Sequence, residues 1–200
     1  VHPNPAYRLD DRALHEALLD EVGFGMVFAP TPDGPRVVHT PIISTGDGAV
    51  QFHIARGNAL AKHLAGETAL ITVNGPDGYV SPRWYLDRPT VPTWNFVAIE
   101  IEGRVRRMEQ DGLIAMLDNL SARHEARIEG GKNWTREKLD PDLFRRMLGA
   151  IVGFEMEIQA WRPTFKLGQD DSAADRASIA EGLEASGSPA IAQLMRTLAP

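Results

Sequence analysis

Apolar and polar residues alternate along the stretch from Phe96 to Met108. Val97, Ile99, Ile101 and Val105 share one face, and Glu100, Glu102, Arg104 and Arg106 share the other. A period of two held over that length predicts a long, half-buried strand. The same period returns at Val152, Phe154, Met156, Ile158 and Ala160 and predicts another. Phe24 to Ala29, Arg36 to Ile43, Val50 to Ala55 and Ala69 to Asn74 read as shorter strands. Turn chemistry at Pro32-Asp33-Gly34-Pro35 and Thr45-Gly46-Asp47-Gly48 divides the first three. Asp10-Asp11 caps a helix running to about Glu21, with Leu14, Leu18 and Leu19 on one face. Asn58 to Leu64 reads as a short helix, and Asp111 to about Ala126 and Pro141 to Leu148 as further ones. Two Ala-rich helices beyond Gln169 are split by Gly187-Ser188-Pro189. Short strands at close spacing with few helices between them argue for an α+β antiparallel barrel, not a doubly wound parallel sheet. With no internal repeat and no convincing linker, residues 1–200 are expected to form one domain, with 170–200 as a helical C-terminal extension.

Composition narrows the function classes. A hydrophobic share of 43% beside 24% charged residues is ordinary for a folded domain and argues against wholesale disorder. No apolar run is long enough to cross a bilayer, and Val1-His2-Pro3-Asn4-Pro5 carries no basic or apolar leader region, so no secretory signal is expected. The absence of cysteine removes disulfides and thiolate metal sites and fits a reducing compartment, so a cytoplasmic location is expected. A net charge of -6 opposes broad nucleic-acid binding, which depends on Lys and Arg releasing counterions from phosphates. The six histidines form no His-Glu-X-X-His, and His124-Glu125 reads as structural, so no metal site is expected. Gly-X-Ser-X-Gly, Gly-X-Gly-X-X-Gly and Walker loops are all missing, which argues against the hydrolase and nucleotide folds they mark.

Two segments carry candidate chemistry. Phe52 to Leu64 runs from a strand through Arg56-Gly57 into a helix capped by Asn58. The free N–H groups of a first helical turn favour a phosphate, Arg56 supplies a forked donor, and Lys62 adds charge. The plainer reading is that Asn58 caps a surface helix and Arg56 is solvated. The second segment holds Tyr79-Val80-Ser81-Pro82-Arg83-Trp84-Tyr85 and Val91-Pro92-Thr93-Trp94-Asn95-Phe96 and is expected to be a loop. Pro82 and Pro92 stiffen it, so its aromatic and polar side chains can face a flat heteroaromatic ring or a subunit interface.

Those motifs, together with His53 to Asn58, Ser121-Ala122-Arg123-His124-Glu125, Gly153 to Ile158 and Phe165-Lys166-Leu167-Gly168-Gln169, follow the order seen in PaiB-like proteins. The chain resembles that family, often described as FMN-binding negative transcriptional regulators, over nearly its whole length. The resemblance implies a split β-barrel of the pyridoxamine-phosphate-oxidase type with peripheral helices and a C-terminal helical hairpin. It also implies a homodimer with FMN between the subunits. It places Arg56 and Asn58 near the FMN phosphate, His39 and Thr40 along the flavin, Thr93, Trp94 and Asn95 at the site, and Lys166 and Gln169 closing it. His53 and Trp84, within the shared motifs, complete the candidate set, and no residue is singled out as catalytic. One departure stands out. The family pattern Gly-Lys-Phe-Lys-Leu-Ser-Gln-Asn-Arg is here Pro163-Thr164-Phe165-Lys166-Leu167-Gly168-Gln169-Asp170-Asp171, which loses one Lys, the Ser hydroxyl and the Arg and gains two carboxylates. Wherever those groups touch the phosphate or a substrate, affinity falls or specificity changes.

The regulator label directs attention to the last two helices as a DNA reader. The second offers only Gln193 and Arg196 for reading bases, and the apolar periodicity favours a packed hairpin. The expected function is FMN binding by a dimer with a regulatory role. A flavin-dependent oxidoreductase acting on a small molecule is the alternative, and a flavin-free scaffold is a third reading.

Overall fold

A computed structural model describes residues 2–86 and 89–199; Val1, the first residue of the N-terminal stretch read above, lies outside them. The helices are α1 (Arg12–Val22), α2 (Gln110–Glu125), α3 (Pro141–Gly149), α4 (Ala173–Ala185) and α5 (Pro189–Leu198). The strands are β1 (Phe24–Thr31), β2 (Gly34–Ser44), β3 (Ala49–Ala55), β4 (Thr68–Val80), β5 (Thr93–Arg107) and β6 (Ile151–Lys166). Two compact units result. Leu19–Thr72 and Ile101–Ala160 form a barrel unit, and Val1–Leu18, Val73–Glu100 and Trp161–Pro200 form a second unit.

The six strands close in the order β1-β2-β3-β6-β5-β4, which leaves no unpaired sheet edge; the later part of β4, the first part of β5 and the last part of β6 are counted with the second unit. β1 and β2 form a hairpin that ends on the pair Thr31 and Gly34. β3 lies antiparallel to β6, with Phe52 opposite Phe154 and His53 opposite Gly153. Alternation explains the core: Val50, Phe52 and Ile54 of β3 and Val152, Phe154 and Met156 of β6 are buried. In the barrel unit α2 and α3 bury Leu113, Met116 and Leu148 beside Ile43 and Met108.

The second unit has its own core. Val80, Val97, Phe165 and Leu167 pack with Ile179, Leu183, Ile191 and Met195 of the C-terminal helices. Ser172 caps α4 by accepting from the Asp175 N–H, and Pro189 starts α5. Helical periodicity thus buries one stripe of each helix, as expected for a packed hairpin.

Four local expectations are corrected. β4 does not stop at Asn74 but runs through Gly75-Pro76-Asp77-Gly78 to Val80. Those glycines serve close packing: a Cβ on Gly78 would lie 3.1 Å from the Ile191 side chain and closer still to Leu183. β5 starts at Thr93, so the expected loop is shorter at both ends. The helix expected from Asn58 to Leu64 is a single 3-10 turn, Ala59–Lys62, because the Asn58 side chain takes the Leu60 N–H and His63 bonds back to Leu60. β6 continues past Ala160 to Lys166, and its two-residue rhythm breaks where Pro163, Thr164 and Phe165 are buried in succession.

Candidate functional site

Three of the candidate residues meet in the second unit. Lys166, the last residue of β6, donates from Nζ to Thr93 Oγ1 at 2.5 Å and to the Trp94 carbonyl at 2.8 Å. Burial pushes the Lys166 pKa below its ordinary value, while the Asp170 and Asp171 carboxylates pull it back up. Trp94 is 49% exposed, and its indole N–H donates to Asp77 at 2.9 Å. Tyr79, also exposed, meets the Trp94 ring edge-on at 5.9 Å. The alternation that buries Val97 also buries Asn95, whose side-chain N–H reaches Met195 Sδ at 3.4 Å.

Gln169 and Trp84 are committed to the scaffold. The Gln169 amide donates to the Phe165 carbonyl at 2.5 Å and accepts from the Leu167 N–H at 2.8 Å, bracing the turn at Gly168. Trp84 ends the short helical turn Pro82–Trp84 and packs on α4 at Gly182, where any Cβ would overlap its ring.

A clasp lies beside Lys166. The Tyr7 hydroxyl donates to the Asp170 carboxylate, 2.9 Å from each oxygen, and Lys166 Nζ stands 5.9 Å from the Tyr7 ring centroid. Burial, then the Asp170 hydrogen bond and charge, raise the Tyr7 pKa to about 12. The folded value lies above the ordinary 10.0, so the stabilisation linked to this proton is complete below pH 10 and is lost as pH rises towards 12. Among the three tyrosines, one is therefore expected to ionise near pH 12 in a phenolate absorbance titration. Asp170→Asn is expected to bring that transition down towards the ordinary range, and an unchanged titration would rule out the clasp.

The remaining candidates belong to the barrel unit. His39 is exposed on β2. Thr40 is buried and donates to the His53 carbonyl at 2.5 Å. His53 Nδ1 is buried with no hydrogen-bond partner, and burial pushes the imidazole pKa down, which favours the neutral ring. Arg56 is not simply solvated: Nε donates to the Gly149 carbonyl at 2.7 Å and Nη2 to the Ile151 carbonyl at 3.0 Å. These bonds tie it to the end of α3 and the start of β6. Asn58 caps only the single 3-10 turn, which supplies little of the dipole that a longer helix would offer a phosphate.

The second unit thus offers a half-buried ammonium beside an exposed indole, and the barrel unit, taken by itself, an unpartnered imidazole nitrogen. A family model described as "Putative FMN-binding domain" matches residues 1–160. The chain belongs to this PaiB-like FMN-binding family. It is similar to protease synthase and sporulation protein PAI 2 of Bacillus subtilis, 29% identical over 180 residues that cover 88% of this chain and 86% of that protein. An uncharacterized protein of Emericella nidulans is 27% identical over 198 residues, covering 81% and 79% of the two chains. Among solved structures, a FAD and heme binding protein from Mycobacterium smegmatis superposes with a TM-score of 0.61 at 20% identity, covering 90% of this chain and 79% of that one. A flavocytochrome from Azotobacter vinelandii gives 0.60 at 18% identity, covering 84% and 73%. The shared fold is the α+β split barrel.

FMN is the cofactor that membership of this FMN-binding family assigns, and the residues present fit it in kind. In the second unit the Lys166 ammonium can engage the polar edge of a flavin and the indole of Trp94 offers an apolar face, and in the barrel unit His53 Nδ1 is an orphaned buried polar atom. Among the described residues no cluster of three or more His, Asp or Glu could hold a metal ion, and no helix is long and apolar enough to cross a membrane.

Sequence reasoning missed the pairing of Tyr7 with Asp170. Tyr7 and Asp170 are 163 positions apart, and no local pattern links them. A usable signal was present in the departure at Asp170-Asp171, because new carboxylates at a folded turn call for partners.

Proposed function

We propose that the chain works as an FMN-binding homodimer with a regulatory role, with residues 1–200 acting as a single flavin domain in the cytoplasm. The observation that carries the flavin reading is the Lys166 ammonium held by Thr93 Oγ1 and the Trp94 carbonyl beside an exposed indole. Thr93, Trp94, Lys166, His53, Thr40 and His39 would hold the ring system, and Arg56 and Asn58 the phosphate. Asn95, Trp84 and Gln169 would set the backbone beneath them. When bound, FMN supplies electron and hydride transfer, and the protein's part is to bind, orient and shield it.

Exposed apolar side chains in the second unit, Tyr79, Leu86, Val91 and Trp94, support a subunit contact that would cover them. The regulatory part rests on the likeness to the sporulation protein. Direct DNA reading by α5 finds little support, because Ile191, Ala192 and Met195 are buried and Arg196 pairs with Glu184 at 2.5 Å. The unpartnered His53 Nδ1 favours a second reading, a flavin-dependent oxidoreductase, since a buried ring nitrogen without a partner calls for one from a cofactor or substrate.

Titration of the purified protein with FMN, read by quenching of flavin fluorescence, tests the first step; no binding at micromolar FMN would sink it. Light scattering of the loaded protein checks the dimer. A mobility shift with candidate promoters at low salt checks DNA contact. Arg56→Ala is expected to weaken FMN about tenfold while leaving riboflavin nearly unchanged, since a lost charge-assisted phosphate contact is worth roughly that much. Equal losses for the two ligands would remove Arg56 from the phosphate.

A further inference from the structure

The barrel unit contains a cleft of about 630 Å³ between the start of α2, the end of α3 and the start of β6. Three guanidinium groups line it: Arg56, Arg107 and Arg145. Glu109 is the one carboxylate among its lining residues, so the lining carries two net positive charges in a chain of net charge -6. Leu113, Leu148 and Val152 give it an apolar floor.

The three arginines differ in what already occupies them. Arg56 is fixed by the Gly149 and Ile151 carbonyls through Nε and Nη2, which leaves Nη1 as a pre-oriented donor. Arg145 pairs with Asp142 across a solvent-exposed contact of the kind worth little, so it can be redirected cheaply. Arg107 ends β5 exposed, with no ion pair among the described residues, while its neighbour Arg106 is spent on Glu155 at 2.5 Å. Capping the end of α3 accounts for two of the Arg56 bonds but gives no reason for Arg107 to face the same cleft.

We propose that this cleft is a phosphate-monoester site, with Arg107 as its principal free donor and Arg56 and Arg145 completing it. A tetrahedral dianion has enough acceptor oxygens for several forked donors, whereas one guanidinium already satisfies a carboxylate. The apolar floor takes the body of a small molecule that bears the phosphate. The ester is either the FMN phosphate or that of another ligand, and the site stands on its own residues in both cases.

Calorimetric titration of the whole protein with inorganic phosphate at low ionic strength tests the site. The wild type is expected to bind, Arg107→Gln to bind about tenfold more weakly, and Glu109→Gln to bind more tightly. Circular dichroism of each variant checks that it is folded, and Arg107→Lys should recover part of the loss. Competition between phosphate and FMN, but not riboflavin, assigns the cleft to the flavin phosphate. Phosphate binding without competition assigns it to another ester, even if flavin does not bind at all. No phosphate binding by the wild type, or equal binding by folded Arg107→Gln, overturns the proposal.

Discussion

Phe154→Ala is expected to cost about 3–5 kcal/mol of folding stability, the usual range for deleting a buried aromatic ring. Phe154 is fully buried, faces Phe52 across the β3–β6 pair, and its ring lies 5.7 Å from the Phe52 ring at an interplanar angle of 23°. Strands closed into a barrel cannot collapse easily into the space left behind, so the cavity contribution should be near its upper end. Domains of this size are typically stable by about 5–15 kcal/mol, so the variant keeps little reserve. Urea denaturation would show a much lower midpoint with an unchanged slope. Phe24→Ala is the control: Phe24 is 49% exposed on β1, and its loss should stay within about 0.5 kcal/mol. Equal effects from the two substitutions would mean that the β3–β6 core is not where the barrel unit draws its stability. A cycle with Phe52→Ala should show about 0.5–1.5 kcal/mol of coupling, because the stacked pair loses its mutual contact once either ring is gone.

That core was legible because periodicity is local. Val50, Phe52 and Ile54 alternate in the sequence and alternate in burial, and Val152, Phe154 and Met156 are buried as their alternation predicts, with Gly153 buried among them. Legibility failed where a residue type has two uses. Gly75-Pro76-Asp77-Gly78 has the composition of a turn, yet Gly78 is small because the C-terminal helices lie against it, and that reason is more than a hundred positions away. Asn58 was readable as a cap, but how far the helix would run past it was not, since one turn of α and one turn of 3-10 share the same first residues. The candidate site follows the same division. The aromatic and proline motifs drew attention to Thr93 and Trp94, and the family likeness added Lys166, but only the folded chain shows the ammonium resting on both. Arg56 illustrates the opposite failure: its residue type suggested phosphate, while two of its donors serve backbone carbonyls at Gly149 and Ile151.

Lys166→Met should separate binding from stability by moving them in opposite directions. The substitution keeps a long unbranched side chain and removes an ammonium whose charged form is disfavoured by burial. Lowering of the Lys166 pKa means the unfolded chain holds this proton more tightly than the folded one does, so ordinary Lys166 charging costs stability at neutral pH. That cost is full below the folded pKa and is relieved as pH rises towards the unfolded value of 10.5. Thr93 and Trp94 lose a donor in the variant but are not buried, so water can replace it. Thermal stability is therefore expected to hold or rise slightly. Affinity for FMN is expected to fall about 10- to 100-fold, the range for losing a charge-assisted contact in a partly desolvated site. Riboflavin should lose as much as FMN, in contrast to Arg56→Ala, if Lys166 serves the ring system. Wild-type affinity should also decline with rising pH earlier than an ordinary lysine would allow, and this decline should vanish in Lys166→Met. A folded, stable Lys166→Met protein with wild-type FMN affinity and the wild-type pH profile would place the flavin away from Lys166. The ammonium would then be a brace that ties β6 to the start of β5.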